Sequence, residues 1–263
     1  MNLQEMLDQA ATGTAHVEPG WGQGRATYGG LVGGLMHSAL RAQLTADPAP
    51  PLRSLTVSFV APVAPGEASI DATILRAGSS ATQGQVLMTQ EGKPVAAALA
   101  SFGSSRPSGI VVSPAAVQMP QLPDPESIEP FPYIPGRSAD FFQHIEMRLA
   151  DGGLPFSAAQ TSHMSGWMRF RQAPPTFDER HFVSIADAWP PAVIQMLPEP
   201  SPASSLTWTL EILDDVAAAP DTHWAYGVHT DVARDGYAHT DARIWHPDGR
   251  LVAISRQTVS IFG

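Results

Sequence analysis

The second half of the chain repeats the order of elements found in the first half. The first half has a glycine-rich segment and an apolar helix, followed by four strand-like runs at residues 52–61, 68–77, 82–91 and 94–101. The second half has a segment with a Pro-Pro pair, followed by four runs at residues 205–213, 224–232, 237–246 and 251–261. Two local matches support the alignment: Ser54–Ser58 resembles Ser205–Thr209, and Glu91–Val95 resembles Asp248–Val252. The sequence therefore predicts two copies of one unit, each an antiparallel sheet rolled around a helix.

A proline-rich segment separates the two copies. Eight prolines fall between Pro107 and Pro135. Proline has no backbone N–H to donate, so it disfavours both a long helix and an interior strand in this segment. We therefore predict an N-terminal domain over residues 1–105, a linker over residues 106–138 and a C-terminal domain over residues 139–263.

The composition excludes several classes of function. The 263 residues carry a formal net charge of -10 and a single lysine, Lys93, so we do not expect binding to nucleic acid. The chain contains no cysteine, which excludes disulfides, thiolate zinc ligands and thiol nucleophiles. Nine histidines are present, but none forms the His-x-x-x-His pair of a helical metal site. We expect neither a metal nor a cofactor.

The distribution of apolar residues predicts a cytoplasmic protein. No apolar run approaches the about 18 residues that a membrane-spanning helix needs. The N-terminus lacks the basic and then apolar pattern of a signal peptide. Because exposed sheet edges commonly pair, we also expect a homodimer or a higher homo-oligomer.

The helix of the first half has an unusual composition. Residues 31–44 are apolar on nearly all sides, which is typical of a helix wrapped by other elements. Gly30, Gly33 and Gly34 each cost helix stability, by about 1 kcal/mol relative to alanine. Close backbone packing or a ligand against this helix would explain them.

The segment Phe182–Met196 holds a carboxylate beside a Pro-Pro pair. A helix accepts proline only in its first turn, so Pro190 and Pro191 predict a helix that starts close to Asp187. A carboxylate there has two possible roles. It can cap the helix, or it can hold a water molecule beside a substrate carbonyl, aided by the positive potential of the helix end.

Several motifs in this order resemble the acyl-CoA thioesterase II family, the TesB-like double-hotdog thioesterases. The motifs are Tyr28–Leu35 (YGGLVGGL), Gln90–Val95 (QEGKPV), Ala100–Phe102 (ASF), Ile145–Arg148 (IEMR), Gly166–Arg169 (GWMR), Asp187 and Ser255–Gln257 (SRQ). The resemblance implies an α+β fold, a double hotdog. Its two antiparallel sheets each wrap around a central helix and join into one continuous sheet, with acyl-CoA bound near the interface of the halves.

The same resemblance implies a catalytic set of an acid, a hydroxyl and an amide that together hold the attacking water. These roles fall on Asp187, Ser205 and Gln257. The family's usual Thr is Ser205 here, and the Asp usually found two residues later is Thr207, which is a second candidate for the hydroxyl. Gln257 aligns with Ala100, so the resemblance implies one active site per chain, in the second half.

The remaining implied features concern the substrate. Tyr28, Gly29 and Gly30 at the glycine-rich helix start, together with Trp189 beside Asp187, are the predicted substrate-binding residues. Because lysine is scarce, the CoA phosphates would have to bind Arg25, Arg41, Arg76 or Arg106.

The resemblance predicts an acyl-CoA thioesterase that releases free fatty acid and CoA. Two alternatives stay open from the sequence. One is a non-catalytic acyl-CoA or acyl-lipid binding protein of the same fold. The other is a hotdog hydratase, although His37 and His181 do not lie where such an enzyme needs its histidine.

Overall fold

The computed structural model describes residues 1–112 and 117–262, so residues 113–116 of the predicted linker and Gly263 lie outside the described residues. The described α-helices are α1 (Leu3–Ala10), α2 (Gly29–Arg41) and α3 (Glu179–Ile185). The strands of the first half are β1 (Thr14–Val17), β2 (Gly22–Gln23), β3 (Ala26–Thr27), β4 (Leu52–Phe59), β5 (Gly66–Ala77), β6 (Ala81–Gln90) and β7 (Lys93–Gly103). Those of the second half are β8 (Ile145–Gly152), β9 (His163–Phe170), β10 (Ala203–Ile212), β11 (Trp224–Arg234), β12 (Tyr237–Trp245) and β13 (Leu251–Ile261).

Eleven strands form one antiparallel sheet. Its order is β1-β5-β6-β7-β4-β10-β13-β12-β11-β9-β8, and β2 pairs with β3 in a separate small hairpin. The two halves meet where β4 pairs with β10. The predicted α+β double hotdog with one continuous sheet is therefore confirmed.

The strand register corrects the alignment of the two halves. In the first half a bulge separates the pairs Leu52–Phe102 and Ser54–Ser101. In the second half a bulge at the same place separates the pairs Ser205–Val259 and Thr207–Thr258. The register therefore makes Leu52 the counterpart of Ser205, so the predicted match of Ser54 with Ser205 was wrong by two residues. Gln257 lies opposite Trp208 as Ala100 lies opposite Leu55, which keeps Gln257 and Ala100 equivalent.

The glycines of α2 allow close packing on both sides of the helix. A Cβ at Gly33 would lie 2.5 Å from the ring of Trp208 on β10. A Cβ at Gly34 would lie 2.0 Å from Oγ of Ser184 on α3. Nearly every residue of α2 is buried as a result, and the helix forms the centre of the core. Of the two explanations offered by the sequence, close packing holds at these two positions.

The helix near Asp187 ends where it was expected to begin. Asp178 caps the start of α3, and its carboxylate accepts hydrogen bonds from the backbone N–H groups of Arg180 and His181. Asp187 lies two residues after Ile185, the last residue of α3, so the prediction of a helix that starts close to Asp187 was wrong. Pro190 and Pro191 instead precede a short 3₁₀ turn over Ala192–Met196.

The linker lies against the second half of the sheet. Its apolar side chains Val117, Met119, Leu122 and Ile128 pack on a cluster of Trp167, Ala225, Trp245 and Leu251. The guanidinium of Arg148 donates to the carbonyls of Pro125 and Ile128, and the Phe131 N–H donates to the Met147 carbonyl on the edge strand β8. The linker therefore covers both the outer face and part of the edge of this half. The predicted domain boundaries themselves stay predictions.

Candidate active site

Three of the predicted catalytic side chains form one hydrogen-bonded chain. Nε2 of Gln257 donates to Oδ1 of Asp187 over 2.6 Å. Oγ of Ser205 donates to Oε1 of the same Gln257 over 2.5 Å. Asp187 and Gln257 are only 8% and 7% exposed, while Ser205 is half-buried. The three polar groups therefore line up from the interior toward the surface.

A β-bulge in β10 explains why Ser205 faces this site. Successive side chains of a strand point to opposite faces, so Thr207 faces away from the buried Trp208 that follows it. Without a bulge, Ser205 would share the outward face of Thr207. The register shift between the two residues turns Ser205 inward, where it reaches Gln257. The structure thus places Ser205 in the hydrogen-bonded chain with Gln257 and Asp187, and Thr207 on the opposite face of the sheet.

The start of α2 supplies the other wall of the site, from the first half of the chain. A Cβ at Gly29 would lie 2.6 Å from Oδ2 of Asp187, so only glycine lets the carboxylate approach this closely. The backbone N–H of Gly30 interacts with the same carboxylate. The first N–H groups of a helix have no partner within the helix, and they carry positive partial charge. The helix end that the sequence placed beside Asp187 is therefore present, but it belongs to α2.

Burial gives Asp187 an unusual acidity. Loss of hydration favours the neutral acid and raises the pKa of Asp187 to about 7 from its ordinary value of 3.8, although Gln257 and the Gly30 N–H oppose this shift. A carboxyl group with a pKa near 7 exchanges protons readily at neutral pH. The electrostatics of the site thus suit a general base.

Two tyrosines face Asp187 from different halves. Burial, followed by the charge of Asp187, raises the pKa of both Tyr28 and Tyr226 above the ordinary value for a phenol. Both phenols therefore stay protonated next to the carboxylate. The hydroxyl of Tyr28 has a long, 3.4 Å hydrogen bond to the Ile185 carbonyl.

Trp189 is buried beside Tyr226 in the second half of the molecule. Its ring stacks on Tyr226 with a centroid separation of 5.6 Å and an angle of 6° between the ring planes, and it is 1% exposed. Phe131 of the linker contacts it edge-on. Of the predicted substrate-binding residues, Tyr28, Gly29 and Gly30 thus lie beside Asp187, whereas Trp189 packs on Tyr226.

Sequence reasoning missed two residues of the site. Tyr226 lies on β11, and Phe59 ends β4 with its ring against Gly29 and near Asp187. Neither stands in a recognisable motif. Only the alternation of side chains in β4 and β11 could have placed them on the inner face.

Other features of the described residues bear on the class of site. They hold no group of three or more His, Cys, Asp or Glu side chains arranged to bind a metal ion. None of the described helices has the length and apolar character needed to cross a bilayer.

The fold defines a double-hotdog protein, and comparisons with known proteins define its family. A family model described as the acyl-CoA thioesterase N-terminal domain matches residues 17–103, and one described as the acyl-CoA thioesterase C-terminal domain matches residues 125–261. The chain belongs to the acyl-CoA thioesterase family, and it is a thioester hydrolase. A search of curated proteins gave no match.

Solved structures share the fold over nearly the whole chain. A hot dog-fold protein of unknown function from Alicyclobacillus acidocaldarius is 23% identical, with a TM-score of 0.83 over 95% of this chain and 92% of that one. The acyl-CoA thioesterase II TesB2 of Mycobacterium marinum is 23% identical, with a TM-score of 0.76 over 99% of this chain and 98% of that one. The tesB protein of Mycobacterium avium subsp. paratuberculosis is 15% identical, with a TM-score of 0.74 over 95% of this chain and 92% of that one. The resemblance to TesB-like thioesterases is therefore confirmed.

Proposed function

We propose that this acyl-CoA thioesterase hydrolyses its substrate to a free fatty acid and CoA by direct attack of water, with Asp187 as the general base. The hydrogen-bonded chain from Ser205 through Gln257 to Asp187 is the observation that carries this proposal. Gln257 is fixed at both ends of its amide, so its second amide hydrogen has a defined direction. A water molecule that accepts this hydrogen can donate to the carboxylate.

The chemical steps need no covalent intermediate. Asp187 takes a proton from the water as oxygen attacks the thioester carbonyl carbon. Backbone N–H groups at the start of α2 other than that of Gly30, which faces Asp187, stabilise the negative charge that develops on the carbonyl oxygen; the Gly29 N–H is the nearest candidate. The C–S bond then breaks, and the proton passes from Asp187 to the CoA sulfur.

Replacement of the base tests the proposal. We expect the wild-type chain to release CoA from acyl-CoA substrates, and Asp187→Asn to lower kcat about 10³-fold, within the range for loss of a general base. Thiol release from a panel of straight-chain acyl-CoAs measures both. Asp71→Asn, on the exposed face of β5, is the matched control and should retain full activity. Activity of Asp187→Asn within threefold of wild type would remove Asp187 from the mechanism.

The pH dependence gives an independent test. Because the pKa of Asp187 is raised to about 7, its basic form is depleted at lower pH. We expect kcat/KM to fall about tenfold per pH unit below pH 7 and to level off above it. A profile that stays flat between pH 5 and pH 8 would contradict Asp187 as the base.

We further propose that Arg25 binds the CoA phosphates. It lies exposed in the β2–β3 hairpin, immediately before the helix start that faces Asp187. Arg41 lies at the far end of α2, where its guanidinium pairs with Glu179 over 3.1 Å. Arg25→Ala should raise KM for acyl-CoA about tenfold while leaving KM for the matching acyl-pantetheine unchanged. An equal KM change for both substrates would argue against this role.

The homo-oligomer expected from the sequence stays a prediction. The free edges of the sheet are β1, which has only four residues, and β8, which the linker partly covers. Light scattering at micromolar concentration measures the state directly.

A further inference from the structure

Phe59 belongs to the first half of the chain, yet its ring lies close to the carboxyl group of Asp187. A Cβ placed on Gly29 would lie 2.6 Å from Oδ2 of Asp187 and 2.9 Å from Cζ of Phe59. Since both atoms lie this close to one point, they are separated by at most the sum of the two distances, 5.5 Å. The edge of the ring and the carboxylate therefore face the same small space.

The position of Phe59 in β4 directs its ring toward that space. Leu55 and Val57 alternate with exposed residues and are fully buried, so Phe59 follows them on the inner face. The ring itself is half-buried, and the next residue, Val60, is 58% exposed. Phe59 thus stands between the carboxylate and the surface.

The short distance determines which part of a substrate meets the ring. A general base lies about 3 Å from the water it activates, and that water lies about 3 Å from the carbonyl carbon it attacks. The carbonyl carbon is therefore only two contacts away from Asp187. A ring within 5.5 Å of the carboxylate is close enough to contact an atom bonded to this carbon, whereas the far end of the acyl chain extends away from it.

Backbone contacts hold Phe59 in place. Ser58 pairs with Thr207 across the junction of the two halves, which puts Phe59 beside the bulge that carries Ser205. The N–H groups of the following residues, Val60 and Ala61, both donate to the Val95 carbonyl. Because the backbone is fixed on both sides, only rotation of the Phe59 side chain can enlarge the space.

We propose that Phe59 is a specificity-determining residue that limits branching at the acyl carbon next to the thioester carbonyl. The substrates are then acyl thioesters with a CH₂ group at this position. The inference rests on the proposed function, because it takes Asp187 as the base that activates water. A pocket wall that admits or rejects one methyl group changes kcat/KM by about 10-fold to 200-fold.

The experiment compares butyryl-CoA with isobutyryl-CoA, which contain the same atoms and differ only in branching. We expect wild type to favour butyryl-CoA. Phe59→Ala should shift the kcat/KM ratio toward isobutyryl-CoA by at least about tenfold, and Phe59→Leu by less. Phe262→Ala, at a phenylalanine that is 69% exposed, is the matched control and should leave the ratio unchanged. A ratio for Phe59→Ala within twofold of wild type, or an equal fall with both substrates, would overturn the proposal.

A binding measurement separates this proposal from the proposed function. Ketone analogues that carry a methylene between sulfur and carbonyl cannot be hydrolysed. Titration calorimetry should show that Phe59→Ala improves binding of the branched analogue relative to the linear one by about the same factor. Loss of this effect, with wild-type hydrolysis intact and Asp187→Asn inactive, rejects the role of Phe59 alone. Absence of hydrolysis by wild type rejects the proposed function, and the analogue titration still decides the role of Phe59.

Discussion

The two halves of the molecule share one scaffold and differ in the side chains that the scaffold presents. At the bulge of the central strands, the second half carries Ser205 and the first half carries Leu52. On the neighbouring strands, Gln257 stands where the first half has Ala100. Polar atoms thus replace apolar ones at two equivalent inner positions, and there they form the hydrogen-bonded chain to Asp187.

Leu52, the counterpart of Ser205, lies in a different hydrogen-bonding environment. The carboxylate of Glu179, at the start of α3, accepts the Leu52 N–H over 2.8 Å. It also lies 3.0 Å from Nε2 of His37 and 3.1 Å from the guanidinium of Arg41. This carboxylate is thus bonded to the Leu52 N–H and paired with Arg41. One half therefore offers a helix start and an aromatic ring, while the other offers the reacting side chains.

Among variants at positions where the two halves differ, the largest effect is expected when Gln257 is made to match its counterpart in the first half. Gln257→Ala reproduces Ala100 and removes the donor to Asp187. We expect kcat to fall about 10²-fold, because positioning of the water is lost while the base remains. Thiol release measures the change, with Gln85→Ala on the exposed face of β6 as the control. Full activity of Gln257→Ala would make the difference between the halves irrelevant to catalysis.

A smaller effect is expected from the hydroxyl. Ser205→Ala removes the hydrogen bond to Oε1 of Gln257 and should lower kcat about tenfold, which corresponds to about 1.4 kcal/mol and lies within the range for loss of one hydrogen bond. Thr207→Ala should change kcat less than twofold, because Thr207 faces the outer side of the sheet. The reverse order of the two variants would assign the hydroxyl to Thr207.

The buried base should also leave a signature in stability. The pKa of Asp187 is higher in the folded chain than the ordinary value of 3.8, so the folded state binds the proton more tightly. The stabilisation from this proton is complete below about pH 4 and is lost as pH rises through about 7. Each unit of pKa difference corresponds to about 1.4 kcal/mol.

Asp187→Asn removes this pH dependence. We expect its Tm to exceed that of wild type by several degrees at pH 8, and to match it near pH 4. Calorimetric scans at both pH values measure the difference. A Tm gain of equal size at both values would show that burial does not perturb the acid.

A smaller effect than at Gln257 or Ser205 is expected at Glu179. Glu179→Gln should leave kcat within threefold of wild type, since its partners, Leu52 and Arg41, are no part of the proposed catalytic chain. It should lower the free energy of unfolding by about 1–3 kcal/mol, because the Leu52 N–H and the Arg41 guanidinium lose a charged partner. Denaturant titration measures the loss. A fall in kcat beyond tenfold without a matching loss of fold would mean that the Glu179 region takes part in the reaction.

The sequence predicts the scaffold well because its signals are local. Alternating residues, the turn at Glu91-Gly92 and the proline-rich linker each depend on neighbours in the chain, and the four strands of each meander lie close to their predicted positions. The resemblance to TesB-like thioesterases predicts from the sequence that Asp187, Ser205 and Gln257 belong to one site.

One prediction failed because a second local signal was stronger, and the others failed because they depend on distant contacts. Pro190 and Pro191 suggested a helix start, but the carboxylate of Asp178 and the sequence that follows it provide a stronger start signal nine residues earlier. Phe59 and Tyr226 come from different halves and lie near Asp187 through long-range packing, which no short motif encodes. The inward turn of Ser205 depends on a bulge whose position only the register reveals.

The pairing of β4 with β10 has a consequence for the chain as a whole. At this junction β4 and β10 each cover the hydrogen-bonding edge of the other. If the halves were separated, both edges would face water. An isolated half would therefore expose a bare ladder of N–H and C=O groups beside an uncovered helix, and it should associate with a second copy of itself. Each half expressed alone ought to associate with copies of itself, and co-expression of the two halves ought to restore the double hotdog.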